Sequence, residues 1–323
     1  MNILITGGFG YIGGRLADYL KNCGVPCSIS LAERDILKIP EWAHKYSAVR
    51  LELLETKSID AALSESQPDL VIHLAALNEI ESMKDPERAY EVNTRGCLRL
   101  LQSCQKFGVE RFIYFSTFHV YGQPEESPIT ELTPTRPFHP YASTHRAAED
   151  NVEFFRHYYG MKTLVCRLSN GYGFPMDPHV NRWSLVFNDL CRQAVTRNRL
   201  VLKSSGRQYR DFIALEDIAR VVKHFVFDKP QEWENGLFNI GSGSAMTILE
   251  VAEFIKQVFQ KWSGKDLDGI EIPEGPEKTK DEKKIEFSIK KLLQSGFQLK
   301  GNMEGEVVKT LELCSSSFSQ KTD

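Results

Sequence analysis

Asn2-Ile3-Leu4-Ile5-Thr6-Gly7-Gly8-Phe9-Gly10-Tyr11-Ile12-Gly13 decides the fold of this chain. Ile3–Thr6 reads as a buried strand and Ile12–Cys23 as the helix that follows. Glycines at 7, 10 and 13 permit a tight turn, close approach of the backbone to a pyrophosphate, and close helix–sheet packing. The helix N-terminus then offers N–H donors and a favourable dipole to an anion. A lone glycine triplet is weak evidence, but a strand before it and a helix after it make this a phosphate cradle. Gly7, Phe9, Gly10, Tyr11, Ile12 and Gly13 are its candidate cofactor contacts.

Strand-like and helix-like stretches alternate outward from the cradle. Strands are expected near Cys27–Leu31, Ala48–Leu53, Asp69–Leu74, Arg111–Ser116 and Thr163–Arg167, and helices over Pro86–Phe107 and Tyr141–Tyr159. The pattern predicts an α/β fold: a Rossmann-like doubly wound parallel sheet with a smaller C-terminal substrate-binding α/β lobe. Residues 1–170 form the nucleotide-binding domain, with 212–240 returning to it. Residues 171–211 and 241–314 form the smaller lobe, with a helix near Ser184–Thr196. Residues 264–284 read as a solvated loop and 315–323 as a disordered tail.

Of the 323 residues, 41% are hydrophobic and 26% charged, ordinary for a globular chain, and the net charge is −3. Without a basic run, nucleic acid is not an expected partner. No apolar stretch is long enough for a membrane span, and the N-terminus lacks the basic start of a signal peptide. Seven cysteines, odd in number and scattered, fit a reduced cytoplasmic setting. Cys23 and Cys27 have no second ligand pair, so no metal is expected.

Tyr141-Ala142-Ser143-Thr144-His145 puts a tyrosine and a histidine one helical turn apart on one face. In a nucleotide-cofactor oxidoreductase the tyrosine is the natural acid/base and the basic residue tunes it. About 20 residues beyond the cradle, NAD-specific sites carry an acid for the ribose 2′-hydroxyl. Counting from Gly13 reaches Leu31, with Glu33 and Arg34 just beyond. Arg34 would pair with a 2′-phosphate, which favours NADP over NAD; the alternative leaves Arg34 solvated and Glu33 on the ribose.

The order of further motifs resembles the extended short-chain dehydrogenase/reductases over roughly residues 1–300. They are Leu74-Ala75-Ala76, Asn93-Thr94-Arg95-Gly96, Ser116-Thr117-Phe118-His119-Val120-Tyr121-Gly122, Tyr141…His145, Arg167-Leu168-Ser169-Asn170-Gly171-Tyr172-Gly173 and Arg210-Asp211-Phe212-Ile213. The resemblance implies a nucleotide-sugar epimerase, dehydratase or 4-ketoreductase. Tyr141 would be the acid/base and Thr117 its hydroxyl partner, with Asn170 and Arg210 near the substrate diphosphate. Leu74, Ala75, Ala76, Asn93 and Ser116 would line the cofactor side. A homodimer is implied too, through the helix that carries Tyr141, with Val152, Phe155, Tyr158 and Tyr159 available to it or to the core.

Three departures from that family matter. Phe118 and His119 replace an acidic pair that dehydratases carry, so a 4,6-dehydratase is not expected. The late arginine segment that often grips the nucleotide is not recognisable in 273–285, where either Lys278 or Lys280 substitutes or the loop is simply solvated. The usual lysine of the tyrosine motif is His145. Bringing a tyrosine from a pKa near 10 to about 7 takes roughly 4 kcal/mol, which a full charge at about 4 Å supplies. A neutral histidine supplies little of it, although it still hydrogen-bonds a ribose. Ketone reduction begins from neutral Tyr–OH and suffers less than alcohol oxidation. The expected activity is therefore an NAD(P)-dependent nucleotide-sugar 4-ketoreductase, the alternatives being a 4-epimerase or a catalytically weak NAD(P)-binding scaffold. His119 is either a second acid/base or a loop histidine beside Tyr121. His139, His157 and His179 read as structural or surface residues, and Asp211 and Asp217 as loop and helix-cap residues.

Overall fold

The computed structural model describes every residue except Glu125, Glu232, 274–283, Ile285 and 319–323. Strand β1 (Asn2–Thr6) lies in parallel register between β2 (Ser28–Glu33) and β4 (Leu70–His73). Beyond β2 lies β3 (Ser47–Arg50). Beyond β4 come β5 (Arg111–Thr117), β6 (Lys162–Leu168) and the strand Leu237–Ile240, completing a seven-stranded parallel sheet. Successive strands leave β1 in opposite directions, so a crevice opens between the carboxyl ends of β1 and β4. The expected architecture is present.

The apolar runs are continuous because helices cover both faces of the sheet. Ile3, Ile5, Leu70 and Ile72 point into one core, while Leu4 and Val71 point into the other. A third core gathers Tyr172, Phe187, Phe212, Val251, Ile255 and Leu311. Helices Val186–Arg197, Ile248–Ser263 and Met303–Phe318 build it beside a small sheet of Asn170–Tyr172, Tyr209–Ala214 and Ala245–Thr247.

Several expectations need adjustment. Phe287, Ile289, Leu292 and Phe297 pack into the first core of the large sheet, so the segment after 241 is shared between the two bodies. Residues 315–318, expected in a disordered tail, continue the helix Met303–Phe318, because Cys314 is buried and the Phe318 ring packs on Trp183 at 4.9 Å. Residues 319–323 lie outside the described residues. In the expected loop 264–284, Leu267 is buried and Ile270–Glu271 pairs with Leu200–Val201. The rest of that loop, including Lys278 and Lys280, falls mostly outside the described residues. The run 86–107 is not one regular helix. Pro86–Ala89 passes into a π-helical stretch, Tyr90–Gly96, before α-helix resumes at Cys97–Lys106. Among the described residues, no helix is long and apolar enough to cross a membrane, and no group of His, Cys, Asp or Glu could hold a metal. All seven cysteines are free thiols.

Candidate active site

The cradle has the shape a pyrophosphate needs. Gly7 has φ +67°, and a Cβ there would lie 3.0 Å from the Ala75 nitrogen. A Cβ on Gly13 would fall 2.3 Å from the Gly7 carbonyl oxygen. Both positions therefore need glycine, and the glycine turn ends directly in the helix Tyr11–Asn22. An adjoining crevice of about 330 Å³ is lined by Gly7, Glu33, Arg34, Ala75 and Ala76. Open volume, close-packed glycines and the free helix start together fit a dinucleotide. The partly buried Phe9, Ile12 and Leu74 pack against the first core. The Tyr11 side chain does not face the crevice: its hydroxyl donates to the Gly173 carbonyl (2.7 Å), tying the first helix to the smaller lobe.

The end of β2 lies at Glu33, two residues beyond the position reached by counting. Leu31 is fully buried beneath Gly8, where a Cβ would be 2.8 Å from the Leu31 Cβ. The Phe9 N–H donates to Glu33 Oε1 (2.8 Å), and burial raises the Glu33 pKa despite that bond. An acidic group thus stands where the ribose acid was sought, next to Arg34.

β5 ends at Thr117, and the helix Pro140–Tyr159 begins beside it. His139 caps that helix, its Nδ1 accepting from the Ala142 N–H (3.3 Å). Pro140 then occupies the first turn, where its missing N–H does no harm. Tyr141 and His145 follow on one face, with ring centroids 4.5 Å apart. Burial raises the Tyr141 pKa, the Arg182 charge and a hydrogen bond with Thr117 oppose the rise, and Glu79 adds to it. The tyrosine is therefore a neutral O–H at pH 7.

His145 is buried, and its Nδ1 lies 2.7 Å from the Tyr114 hydroxyl. Burial, with His73 and His119 adding to it, pushes its pKa down to about 3. It therefore carries no charge where the family's lysine would. Its Nε2 is buried without a partner among the described residues. An orphaned polar atom of this kind costs about 1–3 kcal/mol, and a ribose hydroxyl would satisfy it.

Asn93 and Ser116 act mainly as struts. The wide π-helical turn brings the Asn93 amide to Leu77, where it accepts from the backbone N–H (2.7 Å) and donates to the carbonyl (3.2 Å). It also donates to Thr144 Oγ1 (3.1 Å), one residue before His145. Ser116 Oγ donates to Glu149 Oε1 (2.5 Å).

A second cavity, of about 350 Å³, is lined by Glu79, His119, His139, Asn170 and Arg210, among others. The His119 ring lies tilted by 33° against Phe118 with centroids 4.1 Å apart, and its centroid lies 6.2 Å from that of Tyr141. Burial, then His139 and Arg210, lower its pKa to about 4. Asn170 donates to the Asp211 carbonyl (2.8 Å), while Arg210 is exposed at the cavity edge. Asp211 organises the adjacent loop by accepting from Ser169, Ser242 and Ser244. Asp217 accepts from the Lys300 and Gly301 N–H groups, joining two segments rather than capping its own helix.

The sequence reading misses Glu79 and sets His139 aside as structural or surface, while Arg182 and Trp183 are placed near the sugar pocket by position alone. Glu79 and His139 line the cavity, and Arg182 exerts its charge on Tyr141. For His139 a signal existed, since it stands directly before the Pro-Tyr start of the motif helix.

Comparison with known proteins agrees with this geometry. Residues 3–241 match the NAD dependent epimerase/dehydratase family. A UDP-glucose 4-epimerase of Rhizobium meliloti is 26% identical over 276 residues, covering 80% of this chain and 82% of that protein. The crystal structure of a Thermus thermophilus UDP-glucose 4-epimerase in complex with NAD superposes with a TM-score of 0.79 at 26% identity, covering 98% of this chain and 100% of the other. The structure of RMD from Pseudomonas aeruginosa complexed with NADPH gives 0.77 at 25% identity, covering 98% and 99%. With the glycine cradle, the Tyr141 helix and the family match over 3–241 in agreement, this chain belongs to the NAD-dependent epimerase/dehydratase family of extended short-chain dehydrogenase/reductases.

Proposed function

We propose that this protein is an NAD(P)-dependent oxidoreductase of nucleotide-activated sugars, working at C4 and most readily as a 4-ketoreductase. The observation that carries the reductive reading is the buried histidine beside the tyrosine: His145, its ring centroid 4.5 Å from that of Tyr141, stands where the family carries a lysine. Burial keeps Tyr141 protonated, and uncharged His145 adds no field to ionise it. When bound, the nicotinamide supplies the hydride. Tyr141 donates its proton to the sugar oxygen, Thr117 holds that oxygen in line, and His145 Nε2 engages the nicotinamide ribose. His119, in the same cavity, is placed to be a second acid/base on the sugar, and Asn170 and Arg210 to hold the diphosphate. A 4-epimerase is the second reading, favoured by the similarity to UDP-glucose 4-epimerases.

Cofactor stoichiometry separates the two. A ketoreductase consumes one NAD(P)H per sugar reduced, whereas an epimerase interconverts sugars with no net change in absorbance at the nicotinamide band. Running the assay with each cofactor also tests the choice at β2. Arg34 in the crevice favours NADPH, and a preference for NADH would assign the ribose to Glu33 instead.

His145→Lys should restore the missing charge. A permanent ammonium at about 4 Å contributes about 4 kcal/mol at an effective dielectric of 20. That lowers the tyrosine pKa by as much as about 3 units. Alcohol oxidation at pH 7–9 should rise at least about tenfold, and its pH profile should move to lower pH. Identical rates and profiles in both directions would remove the electrostatic argument.

A homodimer through the helix Pro140–Tyr159 completes the reading. Val152 and Phe155 belong to the core, but Phe154, Tyr158 and Tyr159 stand exposed. Sedimentation as a single chain would count against it.

A further inference from the structure

His139 stands at the junction of the motif helix and the sugar-sized cavity, and no family motif assigns it a task. Its ring is nearly parallel to that of Tyr141 (8°, centroids 6.2 Å apart) and meets His119 edge-on at 5.2 Å. Its Nδ1 is the acceptor that caps the helix, so the ring proton cannot sit there without breaking the cap. The tautomer with its hydrogen on Nε2 is therefore the one that keeps the cap. Nε2 makes no hydrogen bond among the described residues, and the side chain lines the cavity with Phe138, His119 and Arg210.

We propose that His139 is a specificity-determining residue. Held in a single tautomer by its own helix cap, it donates the Nε2 hydrogen to an oxygen of the sugar ring next to the carbon served by Tyr141. The proposal rests on the nucleotide-sugar reading above. It adds that selectivity for the sugar, as distinct from the nucleotide, passes through the residue two positions before the acid/base. The acceptor it suits is a sugar hydroxyl, since Nε2 offers a single hydrogen while Nδ1 is committed to the cap.

His139→Asn tests this, because asparagine is itself a strong N-cap but is too short to present the donor. Full-length protein with its cofactor would be titrated calorimetrically with UDP-, dTDP-, GDP- and CDP-glucose, and with the matching free nucleoside diphosphates. For whichever sugar nucleotide the wild type binds, His139→Asn should weaken binding about 3- to 10-fold, the range of one neutral hydrogen bond. Affinity for the free diphosphate and the thermal midpoint should be unchanged. His139→Ala should show the same loss together with a lower midpoint. Equal affinity of wild type and His139→Asn for the sugar nucleotide would make His139 a helix cap only and overturn the proposal. A wild-type protein that binds none of the four would overturn the nucleotide-sugar reading itself, and the proposal with it.

Discussion

Tyr141→Phe is expected to lower turnover by about 10²- to 10⁴-fold, the usual contribution of a positioned proton donor. The binding constant for the nicotinamide cofactor should remain within a factor of about three. The phenyl ring retains the packing against His145 and His139, so the helix Pro140–Tyr159 keeps its place over β5. What disappears is the hydroxyl, with its hydrogen bond to Thr117 and the proton it is proposed to donate. Because the loss falls on the chemical step, it should appear in kcat with little change in KM. A Phe variant retaining more than a third of wild-type kcat would strip Tyr141 of the acid/base role. The remaining reading would then be a protein that binds NAD(P) without using it for catalysis, as the absent lysine also suggests.

Legibility from the sequence followed the physics of each feature. The cradle was readable because glycine is demanded by steric contact, at Gly7 against Ala75 and at Gly13 against the Gly7 carbonyl. Two-sided burial made β1 and β4 readable as continuous apolar runs. The end of β2 was misplaced because Ala32 and Glu33 continue the strand in register with Thr6 and Arg50, a pairing that spacing alone does not encode. The π-helical turn at Tyr90–Gly96 escaped because its cause is tertiary: the Asn93 amide is held by Leu77 and Thr144. Chemistry at His145 was half legible. That a histidine would be uncharged follows from its ordinary pKa, but burial against Tyr114 and the orphaned Nε2 depend on packing. His139 was passed over because a helix-capping imidazole facing a cavity looks, in sequence, like any loop histidine.

Glu149→Gln is expected to destabilise the fold by about 3–5 kcal/mol, because it leaves one member of a buried ion pair without its counter-charge. Glu149 sits two turns beyond Tyr141 on the same helix, and its carboxylate accepts from Arg167 Nε (3.1 Å) and Nη2 (2.7 Å) on β6. Both residues are buried, at 4% and 5% exposure. After the substitution the guanidinium keeps an amide oxygen as acceptor, the Tyr121 ring at 4.8 Å and a long contact of 3.5 Å to the Glu131 carbonyl, but no buried negative charge from position 149. The pair need not be a net source of stability, since desolvating two charges offsets much of their attraction. Replacing both, as Glu149→Leu with Arg167→Met, should therefore cost less than the single change, and denaturant midpoints of the three proteins test that order. Catalysis should not recover in the double variant. Ser116 Oγ would lose its acceptor on the helix, and with it the clamp that holds the end of β5, one residue from Thr117, against the element carrying Tyr141. A Glu149→Gln protein with an unchanged midpoint would show that the ion pair is not what joins these elements. A double variant with wild-type kcat would show that Thr117 and Tyr141 are aligned without the Ser116 clamp.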